Sequence, residues 1–168
     1  FATMPKTSTD IKYICRNADN IGDDGRHEIA AKHYPMIGMQ SNLDPDLIEY
    51  QILSAKAAGI DGFFIEWGFM PHENDNLLKA MQPIAAKYGF EIGVNWCDGW
   101  LYYDWITKIY PDIKTRTDKT KYMEKCFKYL ADNVFTGETA PVVKGRPVFY
   151  HFGGGATPEE FTQVLNAN

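Results

Sequence analysis

Cysteine is scarce in this chain of 168 residues; Cys15, Cys97 and Cys126 are all it has. An odd count with no CxxC spacing excludes a disulfide framework and the common zinc patterns, and leaves at most one pair. Basic charge is also short. Seventeen Lys and Arg against twenty-two Asp and Glu give a net charge of -5, so the footprint of a nucleic-acid binder is missing. No run approaches the ~20 apolar residues of a membrane-spanning helix. There is no internal repeat and no low-complexity tract. The chain opens at Phe1 with neither Met nor a basic leader. A removed leader leaves such a start, so the missing signal does not fix the compartment. Gly153-Gly154-Gly155 lacks both the GxGxxG spacing and the Gly-Lys-Ser/Thr ending of a phosphate loop, which weighs against a nucleotide cofactor. His27 and His33 lie six apart around Glu28, where a zincin helix needs four. No metal and no cofactor are expected.

What the chain does have is ordinary bulk and many rings. Apolar residues make up 45% and charged residues 23%, the balance of a globular domain. Four Trp, ten Tyr and ten Phe raise the aromatic share to 14%. Such rings either fill a core or stack on sugars.

Residues 5 to 25 are polar and end in an Asn/Asp/Gly cluster from Asn17 to Gly25, which predicts loop. Phe1 to Met4 read as the end of a strand cut off at its start. A helix is predicted from Asp44, a good cap followed by Pro45, to Gly59, a left-handed stop. Ile60 to Trp67 is apolar on both faces, the pattern of a parallel strand covered on both sides. Asn74 to Tyr88 predicts a second helix, kinked or split at Pro83 and ended by Gly89. Phe90 to Trp96 predicts a strand. Asp118 to Asn133 predicts a helix with Tyr122, Met123, Cys126, Phe127 and Leu130 on one face. A turn at Lys144-Gly145-Arg146 leads to a strand from Pro147 to Phe152. Thr157 caps a final helix.

The order β-loop-αβαβαβα predicts an α/β fold with a parallel sheet and outer helices. No domain boundary interrupts residues 1–168. Two architectures fit: an open doubly wound sheet, or the first portion, about four β/α units, of a (β/α)8 barrel of TIM type. A whole barrel needs ~250 residues, so on that reading the domain is an incomplete fragment. Its bare strand edges would invite pairing into a homo-oligomer.

In both architectures chemistry gathers at the C-terminal ends of the strands. Those ends read Glu66-Trp67, then Asn95-Trp96-Cys97-Asp98-Gly99-Trp100, then Tyr150-His151. Carboxylates, an amide and indoles at one rim suit a glycan site, because carboxylates do acid and base work on a glycosidic oxygen. Glu66 and Asp98 are the candidate catalytic pair. Trp67, Trp96 and Trp100 are candidate sugar platforms, and Asn95, Tyr150 and His151 candidate partners for hydroxyls. Each has a plainer alternative. Glu66 could pair with a basic neighbour, and Asp98 could cap the turn before Gly99. The three Trp could be core, and His151 could be structural. Cys97 has no His/Asn arrangement to make it a nucleophile.

Three stretches resemble glycoside hydrolases of the family 71 and 99 type. They are His33-Tyr34-Pro35-Met36-Ile37-Gly38, then Asp44-Pro45-Asp46-Leu47-Ile48-Glu49-Tyr50-Gln51, and Ala58 through Trp67. They are similar to a signature of the form YPLIGPYDS, DP.VIEYQ, AGIDG and DW. The resemblance is specific over residues 26 to 68 and looser but in register over 90 to 98 and 147 to 152. It implies a (β/α)8 barrel cutting α-linked oligo- or polysaccharides, of α-mannan or α-glucan type, without metal and outside the cytoplasm. By that resemblance Glu66 matches the Asp of the DW motif, Asp98 the Asp of a YED motif, and Trp96 its Tyr. Two departures stand out. The Glu of YED falls on Cys97, and Met39-Gln40-Ser41 replaces the acidic PYDS loop. If that Glu is catalytic, its work passes to Asp98 or Glu66, or the barrel binds glycan without cutting it. A third alternative, from the half-barrel, is an inactive fragment.

Overall fold

The computed structural model describes residues 19–29, 33–104 and 106–167. The expected strand at Phe1 to Met4 lies outside these residues. The chain divides into two units, Phe1–Asp44 and Pro45–Asn168.

In the first unit residues 19–25, the described part of the Asn/Asp/Gly cluster, fold as a turn, as their composition predicts. Gly25 takes φ +76°, its amide donates to the Gly22 carbonyl at 2.9 Å, and Ile21 bridges His27 antiparallel.

The second unit is α/β. Helix α1 (Pro45–Ala57) buries Ile48, Ile52 and Ala55, a stripe spaced four and three apart. Gly59 follows at φ +77°, the left-handed stop its position predicts. Strand β1 (Gly62–Trp67) comes next, then α2 (Glu73–Lys87), then β2 (Glu91–Trp96). Pro83 lies inside an unbroken α2, so of the expected kink or split the split does not occur. Its missing N–H forfeits one helical bond, while burial of Leu78, Met81 and Ala85 holds the turns on both sides of it against the core.

Two one-turn helices absent from the sequence reading follow, α3 (Gly99–Tyr102) and α4 (Ile106–Ile109). They bury Leu101 and Ile106. The long helix α5 (Arg116–Asn133) starts two residues earlier than predicted. Thr115 caps it, and Asp118 closes the capping box from inside the first turn. This is the S/T-x-x-D/E pattern, present in the sequence but overlooked.

The third expected strand is shorter than its apolar run. Strands β3 (Val142–Val143) and β4 (Arg146–Pro147) pair antiparallel. The turn between them has Lys144 at φ 52° and Gly145 at φ 75°, two left-handed residues in a row as a tight hairpin demands. Only β5 (Tyr150–His151) joins β2. The cause lies in the preceding bonds. Ile92 N donates to the Thr139 carbonyl at 2.8 Å, and Val148 N to the Pro141 carbonyl at 2.8 Å. The segment around Pro141 therefore lies beside the start of β2, where a longer β5 would sit. Helix α6 (Pro158–Asn166) closes the described chain with the predicted Thr157 cap and a full capping box to Glu160.

The sheet order is β1-β2-β5, all parallel. Helices form both crossovers, as parallel neighbours require. One face of the sheet is covered. Ile92, Val94, Trp67 and Trp96 are buried there, with Leu78, Met123, Leu130 and Val164 in the same core. The other face leaves Phe64, Glu66, Glu91 and Tyr150 exposed. Gly93 on that face is buried because Phe64 and Pro141 close over it. A Cβ there would lie 2.7 Å from the Phe64 ring and 2.9 Å from Pro141 Cγ.

Among the described residues, no helix is long and apolar enough to cross a membrane.

Candidate glycan-facing rim

Register decides which rim residues look the same way. In parallel strands, residues paired across the ladder share a face, and the next pair takes the opposite one. Glu66 pairs with Asn95, and Asn95 with Tyr150. These three form a row across the uncovered face at the C-terminal ends of β1, β2 and β5. Adjacent strands lie about 4.8 Å apart, so the row spans roughly 10 Å from Glu66 to Tyr150. That width suits one to two sugar rings.

Trp67 pairs with Trp96, and Trp96 with His151. This second row points the other way, toward the helices. Trp67 and Trp96 are 0% exposed. Trp67 stacks on Tyr129 at 6.2 Å between centroids and donates from Nε1 to Asp75 Oδ1 at 3.3 Å. Trp96 stacks on Phe127 at 5.9 Å and donates from Nε1 to the Gly68 carbonyl at 3.0 Å. Both indoles fill the core and offer no face to a sugar, which corrects the expectation of platforms at these two positions. Trp100 differs. It is half-buried at the rim, lies over Gly68 and leans against the His72 ring at 5.3 Å. His72 escaped the sequence reading. It caps α2 by accepting the Asn74 amide.

The two candidate carboxylates sit in opposite surroundings. Glu66 is exposed on the open face. Its backbone is pinned by Asn74 Nδ2 donating to its carbonyl at 2.7 Å. Its side chain accepts the Cys97 thiol at 3.3 Å. Cys97 itself is buried, with its amide donating to the Trp67 carbonyl at 2.7 Å. Burial first, then the hydrogen bond to Glu66, pushes this thiol up to about 12. A thiol so raised stays protonated at neutral pH.

Asp98 is 0% exposed. One oxygen accepts the Gly154 amide at 3.2 Å and the other the Ala156 amide at 2.7 Å. His151 Nε2 lies 3.2 Å from the first oxygen. The two amides occupy both oxygens of the carboxylate and tie the loop after β5 to the end of β2. Asp98 is thus a rim fastener, neither a simple turn cap nor a free carboxylate. His151 lies in the helix-side row, and its ring packs on Phe161 at 4.5 Å.

Asn95 completes the open row. Among the described residues, its Oδ1 is the buried side-chain atom with no hydrogen-bond partner. An orphan acceptor costs roughly 1–3 kcal/mol, and such an atom in a native fold calls for an explanation.

The chain matches no family model and no curated protein. It is similar to solved structures of a family 99 endo-α-mannosidase from Bacteroides thetaiotaomicron. One of these is a complex with bis-tris propane, with a TM-score of 0.56 at 17% identity over 73% of this chain and 33% of that one. A second structure gives a TM-score of 0.56 and 17% identity over 73% of this chain and 32% of that one. The chain spans about a third of the length of these structures. At this identity the likeness is one of fold: α/β, with a parallel sheet, of family 99 type. These structures give no support to the family 71 part of the resemblance.

Proposed function

We propose that this chain is the N-terminal portion of a (β/α)8 barrel, and that the whole protein is a glycoside hydrolase acting on α-linked glycans of the α-mannan or α-glucan type. The observation that carries this reading is the row Glu66–Asn95–Tyr150. It sets a carboxylate, an orphan amide oxygen and a phenol side by side on the uncovered face, at the strand ends where barrels do their chemistry. In this reading the uncovered face is the barrel interior. Glu66 acts on the glycosidic bond as one member of a carboxylate pair. Asn95 Oδ1 accepts a sugar hydroxyl, Tyr150 binds a second, and Trp100 offers a ring edge or face to the sugar. Asp98 holds the rim in shape, and the second working carboxylate comes from elsewhere in the barrel. Extracytoplasmic localisation belongs to the same proposal, whereas self-association through the edges of β1 and β5 belongs to the alternative in which the chain stands alone as a fragment.

A second reading is a barrel that binds glycan without cutting it. Cys97 favours it, standing where the resembling family carries Glu and remaining a protonated thiol.

The test is hydrolysis of a panel of α-mannans and α-glucans by the full-length protein, beside Glu66→Gln. Turnover that falls at least a hundredfold in the variant, with glycan affinity kept, supports hydrolysis through Glu66. Glycan binding with no turnover in either form supports the second reading. Full turnover in Glu66→Gln overturns the assignment of this residue.

A further inference from the structure

Cys97 stands at a place where its chemistry looks wasted. Its thiol is free of any disulfide, and a buried cysteine usually serves as a small apolar side chain. Here it does more. The residue sits directly after β2, its backbone locked to the Trp67 carbonyl, and its sulfur reaches across to Glu66 Oε1 at 3.3 Å. Glu66 is the last residue but one of β1, so its own backbone is held by the ladder and by Asn74. A flexible exposed carboxylate is thereby gripped at both ends, by its strand and by a buried donor.

We propose that Cys97 is the positioning residue of Glu66. Its S–H fills Oε1, fixes the rotamer of the carboxylate on the open face, and leaves Oε2 to meet the ligand. The inference rests on the reading of Glu66 as the working carboxylate.

The contact has a signature that does not depend on turnover. The S–H stretch of Cys97, assigned as the band lost in Cys97→Ala of the full-length protein, is expected at lower frequency than that of a free thiol. It should move up to the free position in Glu66→Leu, whose side chain cannot accept. A band that stays in place in Glu66→Leu overturns the proposal, whatever the enzyme does. Kinetics supply the second arm. Misplacing a catalytic group costs turnover more than binding. Cys97→Ala should lose about tenfold in kcat with KM within twofold, and Cys97→Ser, which keeps a donor, should recover most of it. Equal loss in the Ala and Ser variants would reduce Cys97 to packing. A protein with no turnover at all removes the hydrolase reading, while the S–H band still decides the contact.

Discussion

The fully buried carboxylate of Asp98 holds the ring of His151 at 3.2 Å, across the junction of β2 and β5. The same carboxylate collects the amides of Gly154 and Ala156, so one side chain fixes the turn that carries the chain from β5 into α6. Gly153 shows how closely this turn approaches. A Cβ there would stand 1.5 Å from Asp98 Oδ1, and no rearrangement of a side-chain tip relieves that when the carboxylate is itself tied on both oxygens.

Asp98→Asn keeps the shape and removes the charge. One of its two groups becomes an NH2 facing an amide donor, so a bond turns into a clash of donors. The expected loss is about 2–4 kcal/mol of stability, in line with hydrogen bonds to a buried charged group. Thermal and urea unfolding of the variant measure it. Hydrogen exchange at Gly154 and Ala156 should accelerate ahead of exchange in β1. If activity also falls, the fall should track the unfolding of this loop and lessen at low temperature. A variant as stable as the parent protein would show that the carboxylate is not the fastener of the rim.

How far the sequence announced this arrangement depends on the element. The helices were legible because their caps are local: Asp44-Pro45, Gly59, Gly89 and Thr157 act within a turn of where they stand. The parallel order of β1 and β2 was legible from apolar runs alternating with helical spacing. The sidedness of those strands was not. Phe63, Phe64 and Ile65 put apolar residues on both faces of β1, so period two leaves little mark in it. Only the pairing of Glu66 with Asn95 and of Trp67 with Trp96 tells the open row from the core row. The same ambiguity made two core indoles look like sugar platforms. Asp98 was recognised as a rim acid, but its partners lie 56 and 58 residues away, a distance at which local signals say nothing. The shortening of β5 has the same origin, since it rests on bonds from Ile92 and Val148 to a loop.

Asn95→Leu separates the cost of the open row from its use. The two side chains share a branched outline, leucine being the larger, and the change removes the orphan Oδ1. Replacing an unsatisfied buried polar group by an apolar one of similar shape recovers its desolvation cost, roughly 1–3 kcal/mol. The variant should therefore melt higher than the parent, by a few degrees for a domain of this size. Its affinity for α-linked glycans should fall about tenfold or more, because a hydroxyl loses its acceptor. Gain of stability with loss of binding is the pattern of a residue kept for function. A variant that is less stable than the parent would mean that Oδ1 has a partner, and the row would lose its middle member.

The acid limb of stability should depend on a pair far from the open face. Arg116, at the start of α5, grips Glu160 in the first turn of α6 with two parallel bonds, Nε to Oε1 at 2.7 Å and Nη2 to Oε2 at 2.6 Å. Thr157 N adds a third donor at 2.8 Å. The guanidinium contact first, with the Thr157 amide behind it and burial opposing, lowers the Glu160 carboxyl below its ordinary 4.5. The folded chain then binds fewer protons at this site than the unfolded chain does, so stability rises with pH across the window. The contribution is complete above 4.5 and disappears as pH falls through the lower folded value. Glu160→Gln removes it. Urea unfolding of parent and variant from pH 7 to pH 3 should give two curves that are apart at neutral pH, with the parent the more stable. They should close as pH drops below 4.5. High salt should narrow the neutral gap only partly, because the fork is a hydrogen-bonded pair as well as a charged one. Parallel curves down to pH 3 would show that Glu160 keeps an ordinary carboxyl in the fold, and that the capping of α6 by Thr157 stands without help from Arg116.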